Sequence, residues 1–561
     1  MTIEAMDRTV PAPPEFPVAW EQRGEVERFW ERELMHVPQQ ATVLDDELMQ
    51  LWIAEGFNAG CEAYDMPVRN AYRRINTYEY QSIAPVSHDP AELEELGRRC
   101  QEKLGAVFGR QIELWEAERL PEVKRYLAGW EAFDCSGASA SEFLEHFEET
   151  LRRSARSWEI HFLTVFPVIF SMSLFDDLYQ GLLGAQSAVE AFGLLQGLEN
   201  HSTEADGALY GLSRRAASSP AVLSALEKHD TADVEPALET SPEGQAFLAD
   251  LHAYLDRYGR RQDGYISVSE PSWLEDPAVV ISTLEDYATQ PERDPKAELA
   301  ELAVERERLV ADARHRLEGF PSEAVAQFEF LLDAAQQGSV MQENHNFWID
   351  GQVVFSVRRV VLEAGRRLAG VGVIAGQGDV FHLTIDEIRE GLAGLSGDLR
   401  GAVAERTAEL EHFSKVQAPP VLGTFPPGPP PDDPLTRAIF KMFGAPVEQS
   451  AEPTVINGLA GSPGVVRGRA RVIHSLADAV RLEHGDVLVA PTTAPPWTAL
   501  FGTAAAVVTD VGGILSHCAV VAREYMIPAV VGTKIATAAI RDGQLVEVDG
   551  GEGVVRIVGE A

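Results

Sequence analysis

The chain has 561 residues, with 47 Lys and Arg against 87 Asp and Glu and a net charge of −40. That balance disfavours a nucleic-acid binder, which needs a basic face. A hydrophobic share of 45% and a charged share of 24% are ordinary for a folded multidomain protein. No apolar run reads as approaching the roughly 20 residues that span a bilayer, and the start has no basic stretch leading into an apolar core. Cys61, Cys100, Cys135 and Cys518 lack metal-type spacing. The expectation is reduced thiols in a cytoplasmic protein without a membrane partner. Residues 453–561 hold 8 Lys/Arg and 10 Asp/Glu, so nearly all the acidic excess lies before them, as a solvated surface.

The first 85 residues or so read as irregular and aromatic, with Phe29-Trp30, Met35-His36 and the run Arg73-Arg74-Ile75-Asn76-Thr77-Tyr78-Glu79-Tyr80. Arg74 is a candidate either to bind phosphate or to anchor the fold on backbone carbonyls. Residues 91–115, 141–158, 296–317 and 322–336 show apolar positions at helical spacing, with Ser322 a plausible N-cap. The pair Asp176-Asp177 suits helix lining better than metal binding. A helix over about residues 340–369 carries Glu343, His345, Asp350, Arg358 and Arg359. At 3.6 residues per turn, His345, Gln352, Ser356 and Arg359 share one face, and Glu343, Phe347, Asp350 and Val354 form a neighbouring stripe. The polar face fits transfer to an alcohol: a His or carboxylate accepts the hydroxyl proton, and an Arg fork holds a phosphoryl group. Surface ion pairs and a structural histidine are the plainer alternative.

Residues 418–434 read APPVLGTFPPGPPPDDP. They are expected to form a stiff, extended linker. Beyond it, valine-rich runs at 464–472, 487–490, 504–509, 529–532 and 545–548 alternate with turns, and a helix should follow Ser516. This describes a compact α/β unit.

In that unit, Gly512-Gly513 leads to Ser516-His517 at the start of an apolar helix with Arg523 further along it. A histidine at a helix N-terminus faces unpaired N–H groups that suit phosphate, and it can take up a phosphoryl group. Gly512, Gly513, Ser516 and Arg523 are the candidate phosphate contacts. The alternative is a histidine that only packs or caps.

The segment 509–532, with Gly461-Ser462-Pro463-Gly464, Val465 to Ala470 and Gly485 to Ala490, resembles the swivelling phosphohistidine domain of the phosphoenolpyruvate-utilising enzymes. The resemblance covers roughly residues 455–560 and implies that His517 is the phosphorylated nucleophile. Three further stretches resemble the central region of rifampin phosphotransferase and phenylphosphate synthase: Tyr258-Gly259-Arg260 with Pro271 to Pro277, Met341 to Asp350, and Asp379 to Thr384. The run Arg74 to Tyr78 looks most like the phenylphosphate synthase branch.

The implied fold is multidomain. A large, mainly α-helical substrate domain (1–417) is joined by the linker (418–434) to a small α/β swivelling phosphohistidine domain (435–561). His345 or Glu343 would serve as base, with Arg74, Arg358 and Arg359 as substrate contacts. No P-loop is present, and neither an ATP-grasp domain nor a phosphoenolpyruvate-binding barrel is read in the chain. The expectation is therefore that ATP and Mg²⁺ bind on a separate ATP-grasp subunit, which loads His517 for transfer to a small-molecule alcohol or phenol. An ATP-driven dehydratase and a non-catalytic phosphocarrier are the alternatives.

Overall fold

The structure, a computed structural model, describes residues 8–184, 187, 189–227, 231–262, 266–289, 294–395 and 397–559. The N-terminal region is more regular than its composition predicts. Strands β1 (Thr9–Val10), β2 (Phe29–Arg32), β3 (Val68–Ile75), β4 (Tyr78–Pro85) and β5 (Val421–Thr424) build one sheet in the order β1-β5-β2-β4-β3. β3 and β4 form a hairpin paired from Val68↔Pro85 to Ile75↔Tyr78.

The body is organised on α1, Ala140–Leu183. Ser139 and Glu142 cap its start reciprocally, and Gly184 (φ 66°) ends it in the left-handed conformation. Its length and composition would suffice to cross a membrane, which corrects the reading of the apolar runs, but 78% of its most apolar window is buried inside the protein. Against it lies a long helical run: α3 (Ser322–Asn346), a π-helical segment (Phe347–Val353) and α4 (Val354–Gly370). Between α1 and α3 in the chain, α2 (His201–Ala217) packs with Pro242–Tyr258 and Ala278–Thr289 around Leu209, Phe247, Leu251 and Leu284.

The π segment corrects the expected helix face. A π turn takes up an additional residue, so everything beyond it is displaced by about 100° from a continuous α register. Val353, Val357 and Val360 are buried, and Arg359 is outside.

The proline-rich stretch is only partly a linker. Val421–Thr424 is the strand between β1 and β2, with Leu422 and Thr424 buried, and residues 425–432 are exposed. Next, α5 (Pro434–Phe443) docks on α1: Lys441 Nζ lies 2.6 Å from Asp176 and 2.7 Å from Asp177, and Arg437 lies 2.8 Å from Asp177. Leu435, Ala438 and Met442 join the core of the helical body. The packed boundary thus falls after α5 rather than at residue 435, and the two aspartates hold a helix.

The C-terminal sheet contains β6 (Val455–Asn457), β7 (Leu459–Ser462), β8 (Val465–Val472), β9 (Val487–Ala490), β10 (Ala506–Thr509), β11 (Ala529–Val531), β12 (Leu545–Asp549) and β13 (Val554–Gly559). Their order is β6-β13-β12-β8-β9-β10-β11-β7, parallel from β8 to β11 and antiparallel elsewhere. β9, β10 and β11 are buried at every position. Their unbroken apolar sequences are those of strands covered on both faces.

Candidate functional site

The loop after β10 sets the geometry. Gly512 has φ +112°, and a Cβ on Gly513 would stand 2.2 Å from the Lys441 carbonyl oxygen. Only glycine permits that approach. Gly513 N–H donates to Met442 O (2.9 Å) and Leu515 N–H to Lys441 O (2.7 Å). Ser516 caps α6, His517–Glu524, by accepting from Ala519 N–H. His517 therefore opens α6 with its ring turned into the interface with the helical body, 3% exposed.

Two contacts orient the ring. Nδ1 lies 3.2 Å from Glu343 Oε1, and Nε2 lies 3.3 Å from Thr498 Oγ1. An ionised carboxylate only accepts, so this contact assigns a proton to Nδ1. Ser202 Oγ donates to Glu343 Oε2 at 2.6 Å. Burial alone would raise the Glu343 pKa. The charge and hydrogen bond of His517, then Ser202, then Arg261 outweigh it and hold the carboxyl at about 2.

Beside this pair, Arg261, Gln262, Ser202, Glu343, Asp350 and Pro495 line a small pocket where the two parts of the chain meet. Arg261 is 6% exposed, and its guanidinium lies 5.7 Å from the Phe347 ring and 5.8 Å from that of Trp273. Burial lowers its pKa, and its Nε, like both side-chain polar atoms of Gln262, is buried without a hydrogen-bond partner among the described residues. Unsatisfied buried donors beside a pocket are what an anionic group would complete.

A second cluster lies behind the pocket. His161 Nδ1 is 3.1 Å from Asp350 Oδ1, and the His161 ring packs on that of His345 at 4.7 Å. His345 donates from Nδ1 to Met341 O (2.6 Å), and its Nε2 is buried without a partner. Burial, then His161, lowers the His345 pKa to about 4. Burial, then His36, lowers His161 to about 3. Burial raises Asp350 to about 7 against the pull of His345 and His36.

The structure brings His517 and Glu343 into contact, with His345 nearby. It disperses the other candidates. Gly512 and Gly513 fit against α5, with the Gly513 N–H already engaged, and Ser516 caps its own helix. Arg523 donates to the carbonyls of Gly461 and Ile514, stacks on Phe192, and has its pKa lowered to about 10 by burial. It braces the loop and does not face the ring of His517. Arg74 binds the Ala41 carbonyl and Glu409, the anchoring role. Arg358 ties Glu275 to the carbonyls of Val268 and Ser269, and exposed Arg359 lies 3.6 Å from Glu131.

Sequence reasoning missed Ser202, Arg261, Gln262, Thr498 and His161, and left Asp350 without a role. Arg261 directly follows the singled-out Tyr258-Gly259-Arg260. Ser202 and Thr498 carry no local pattern. Among the described residues no group of three or more His, Cys, Asp or Glu could hold a metal.

A small α/β domain that presents one buried histidine to a pocket in a larger helical body defines a histidine-carrier architecture. Residues 482–553 match the mobile domain of the PEP-utilising enzymes, and residues 161–343 match the fourth domain of rifampicin phosphotransferase. Chondramide synthase cmdD of Chondromyces crocatus is 39% identical over 99% of this chain and 14% of that protein. The uncharacterized phosphotransferase YvkC of Bacillus subtilis is 30% identical over 75% of this chain and 50% of its own length. A rifampicin phosphotransferase of Streptomyces sviceus is 29% identical over 84% and 50%. The chain thus spans half or less of the length of these relatives. The matched segments are similar to those of the PEP-utilising enzymes, in the group related to rifampicin phosphotransferase.

Proposed function

We propose that this chain is the acceptor-side part of a phosphotransferase, carrying a phosphoryl group on Nε2 of His517 and passing it to a hydroxyl of a small organic alcohol or phenol. One observation carries the reading. Nδ1 of His517 is held by Glu343 from the helical body, and the same Glu343 lines the pocket that contains Arg261. In the transfer, Glu343 keeps the ring in one tautomer, and the Arg261 guanidinium neutralises charge on the moving group.

The acceptor's character is read from a second, mainly apolar cavity, lined by Phe57, Phe162, Phe166, Ile439 and Met442, with His36 and His161 also in its lining. It suits an apolar body carrying one hydroxyl. His161 lines this cavity and bonds Asp350, which lines the pocket beside His517.

The phosphoryl donor on this reading is ATP, bound with Mg²⁺ on an ATP-grasp unit that is either a separate subunit or fused in a longer protein. His517 reaches it by undocking from Glu343. The test is to incubate the protein with β-labelled ATP and Mg²⁺, with and without an ATP-grasp partner, and to compare wild type with His517→Ala by label retention and intact mass. Label that depends on both the partner and His517 is the expected result. No label with a partner shown to be active would remove the phosphohistidine mechanism.

A further inference from the structure

Two carboxylates line the pocket beside His517, and they are engaged differently. Both oxygens of Glu343 are committed, one to His517 Nδ1 and one to Ser202 Oγ. Asp350 sits in the π turn, where the widened backbone places it in the same pocket as Glu343 and Arg261. Its side chain contacts His161, which reaches in from α1. His345, the other base considered from the sequence, lines neither the pocket nor the apolar cavity, and its Nδ1 proton is held by Met341 O.

Resting on the reading of His517 as a phosphoryl carrier, we infer that the Asp350 carboxylate, oriented by His161, is the general base that removes the proton of the acceptor hydroxyl. The acceptor oxygen forms its bond to phosphorus as the bond from phosphorus to Nε2 of His517 breaks. That electron pair returns to Nε2, which leaves a neutral ring still protonated on Nδ1 against Glu343. The hydroxyl proton goes to Asp350 and passes to water when the domains part. The product is a phosphate monoester.

The electrostatics separate the two acids in the same direction. Glu343, at about 2, is too weak a base for a hydroxyl proton, and Asp350, at about 7, is matched to neutral pH. The charged or titratable groups facing Asp350 are His161 from α1, His36 from the N-terminal segment, Arg261 across the shared pocket, and His345 and Glu343 from its own helix. His161 is held neutral by burial, so it orients the carboxylate without neutralising it.

The experiment loads His517 chemically with phosphoramidate, supplies methanol as the probe alcohol, and follows methyl phosphate by ³¹P NMR from about pH 5 to 9, a range that brackets a base titrating near neutrality. Wild type is compared with Asp350→Asn, Asp350→Glu and His161→Gln. The wild-type rate is expected to rise with pH through about 7. Asp350→Asn should be slower by roughly a hundredfold and lose that rise, with partial recovery in Asp350→Glu. Equal rates and profiles in loaded wild type and loaded Asp350→Asn would overturn the inference and leave the carrier reading standing. A loaded wild type no faster than free phosphohistidine would overturn it as well. Absence of a phosphoryl group on His517, with His517→Ala as the control, would remove both. Histidine-selective ¹⁵N spectra provide a readout that does not depend on turnover: His161 should titrate with Asp350 in wild type and stay flat in Asp350→Asn.

Discussion

Glu343 is a buried acid whose use depends on never being protonated. Its carboxyl lies at about 2 in the folded protein against 4.5 when free. Because the folded value is depressed, its stabilising contribution is complete above about pH 4.5 and is lost as pH falls towards 2. Acid denaturation of wild type should therefore show a loss in that window that is reduced in Glu343→Gln, read by near-ultraviolet circular dichroism. The same substitution should slow phosphoryl transfer by roughly a hundredfold, since a misplaced nucleophile costs about that much, while leaving chemical loading of His517 intact. A quench-flow comparison of loading and transfer would check the split. His517 was legible because its motif is local. Glu343 was legible because it lies in a singled-out stretch. Arg261 was not, since nothing in its neighbours marks it as aimed at a pocket that includes Phe347, Pro495 and Pro496 from two distant segments.

Helix α5 shows how one element can serve both parts of the chain. Its Lys441 fits between Asp176 and Asp177 on α1, and its C-terminal carbonyls accept from Gly513 and Leu515 beside His517. Lys441→Ala takes the paired cation from the 1% exposed Asp176, while Asp177 keeps Arg437. Breaking such a pair costs about 3 kcal/mol, so amide exchange across Pro434–Phe443 should quicken markedly in that variant. Gly513→Ala places a methyl against the Lys441 carbonyl. Overpacking of this kind costs about 1–3 kcal/mol, and a lowered melting temperature with slower transfer is expected. Composition alone read residues 418–434 as a spacer because prolines dominate it. Val421–Thr424 became a strand because partners from the N-terminus, Phe29–Arg32 and Thr9–Val10, lie on either side of it. In the same way a 3.6-residue period put Arg359 on the polar face of the long helix, and the π turn, which no residue pattern announced, turned it out to Glu131.

The docked arrangement of the whole molecule is held by many small contacts. Gln342 reaches Leu515 O, Gln196 reaches Arg523 O, and Thr503 bonds Asp286. Leu515, Ala499 and Val279 add apolar packing across the same junction. Replacing Thr503 and Asp286 with cysteines and oxidising them should lock His517 at the acceptor pocket. ATP-dependent loading should then fail and recover on reduction, while transfer from protein loaded before oxidation should proceed. Unchanged loading in the oxidised protein would show that no swing is needed. What could be read from the residues alone was whatever is encoded locally: the glycine turn and histidine of a helix start, the buried parallel strands, the helical periodicity of the body, and the family these define. What the tertiary structure decided was which distant side chains meet. Ser202, Arg261, Thr498 and His161 come to His517, Glu343 and Asp350 only through packing of α1, α2 and the long helix against the C-terminal sheet. Burial at that junction then set two like carboxyls at about 2 and about 7, because proton affinity depends on neighbours in space and not on neighbours in the chain.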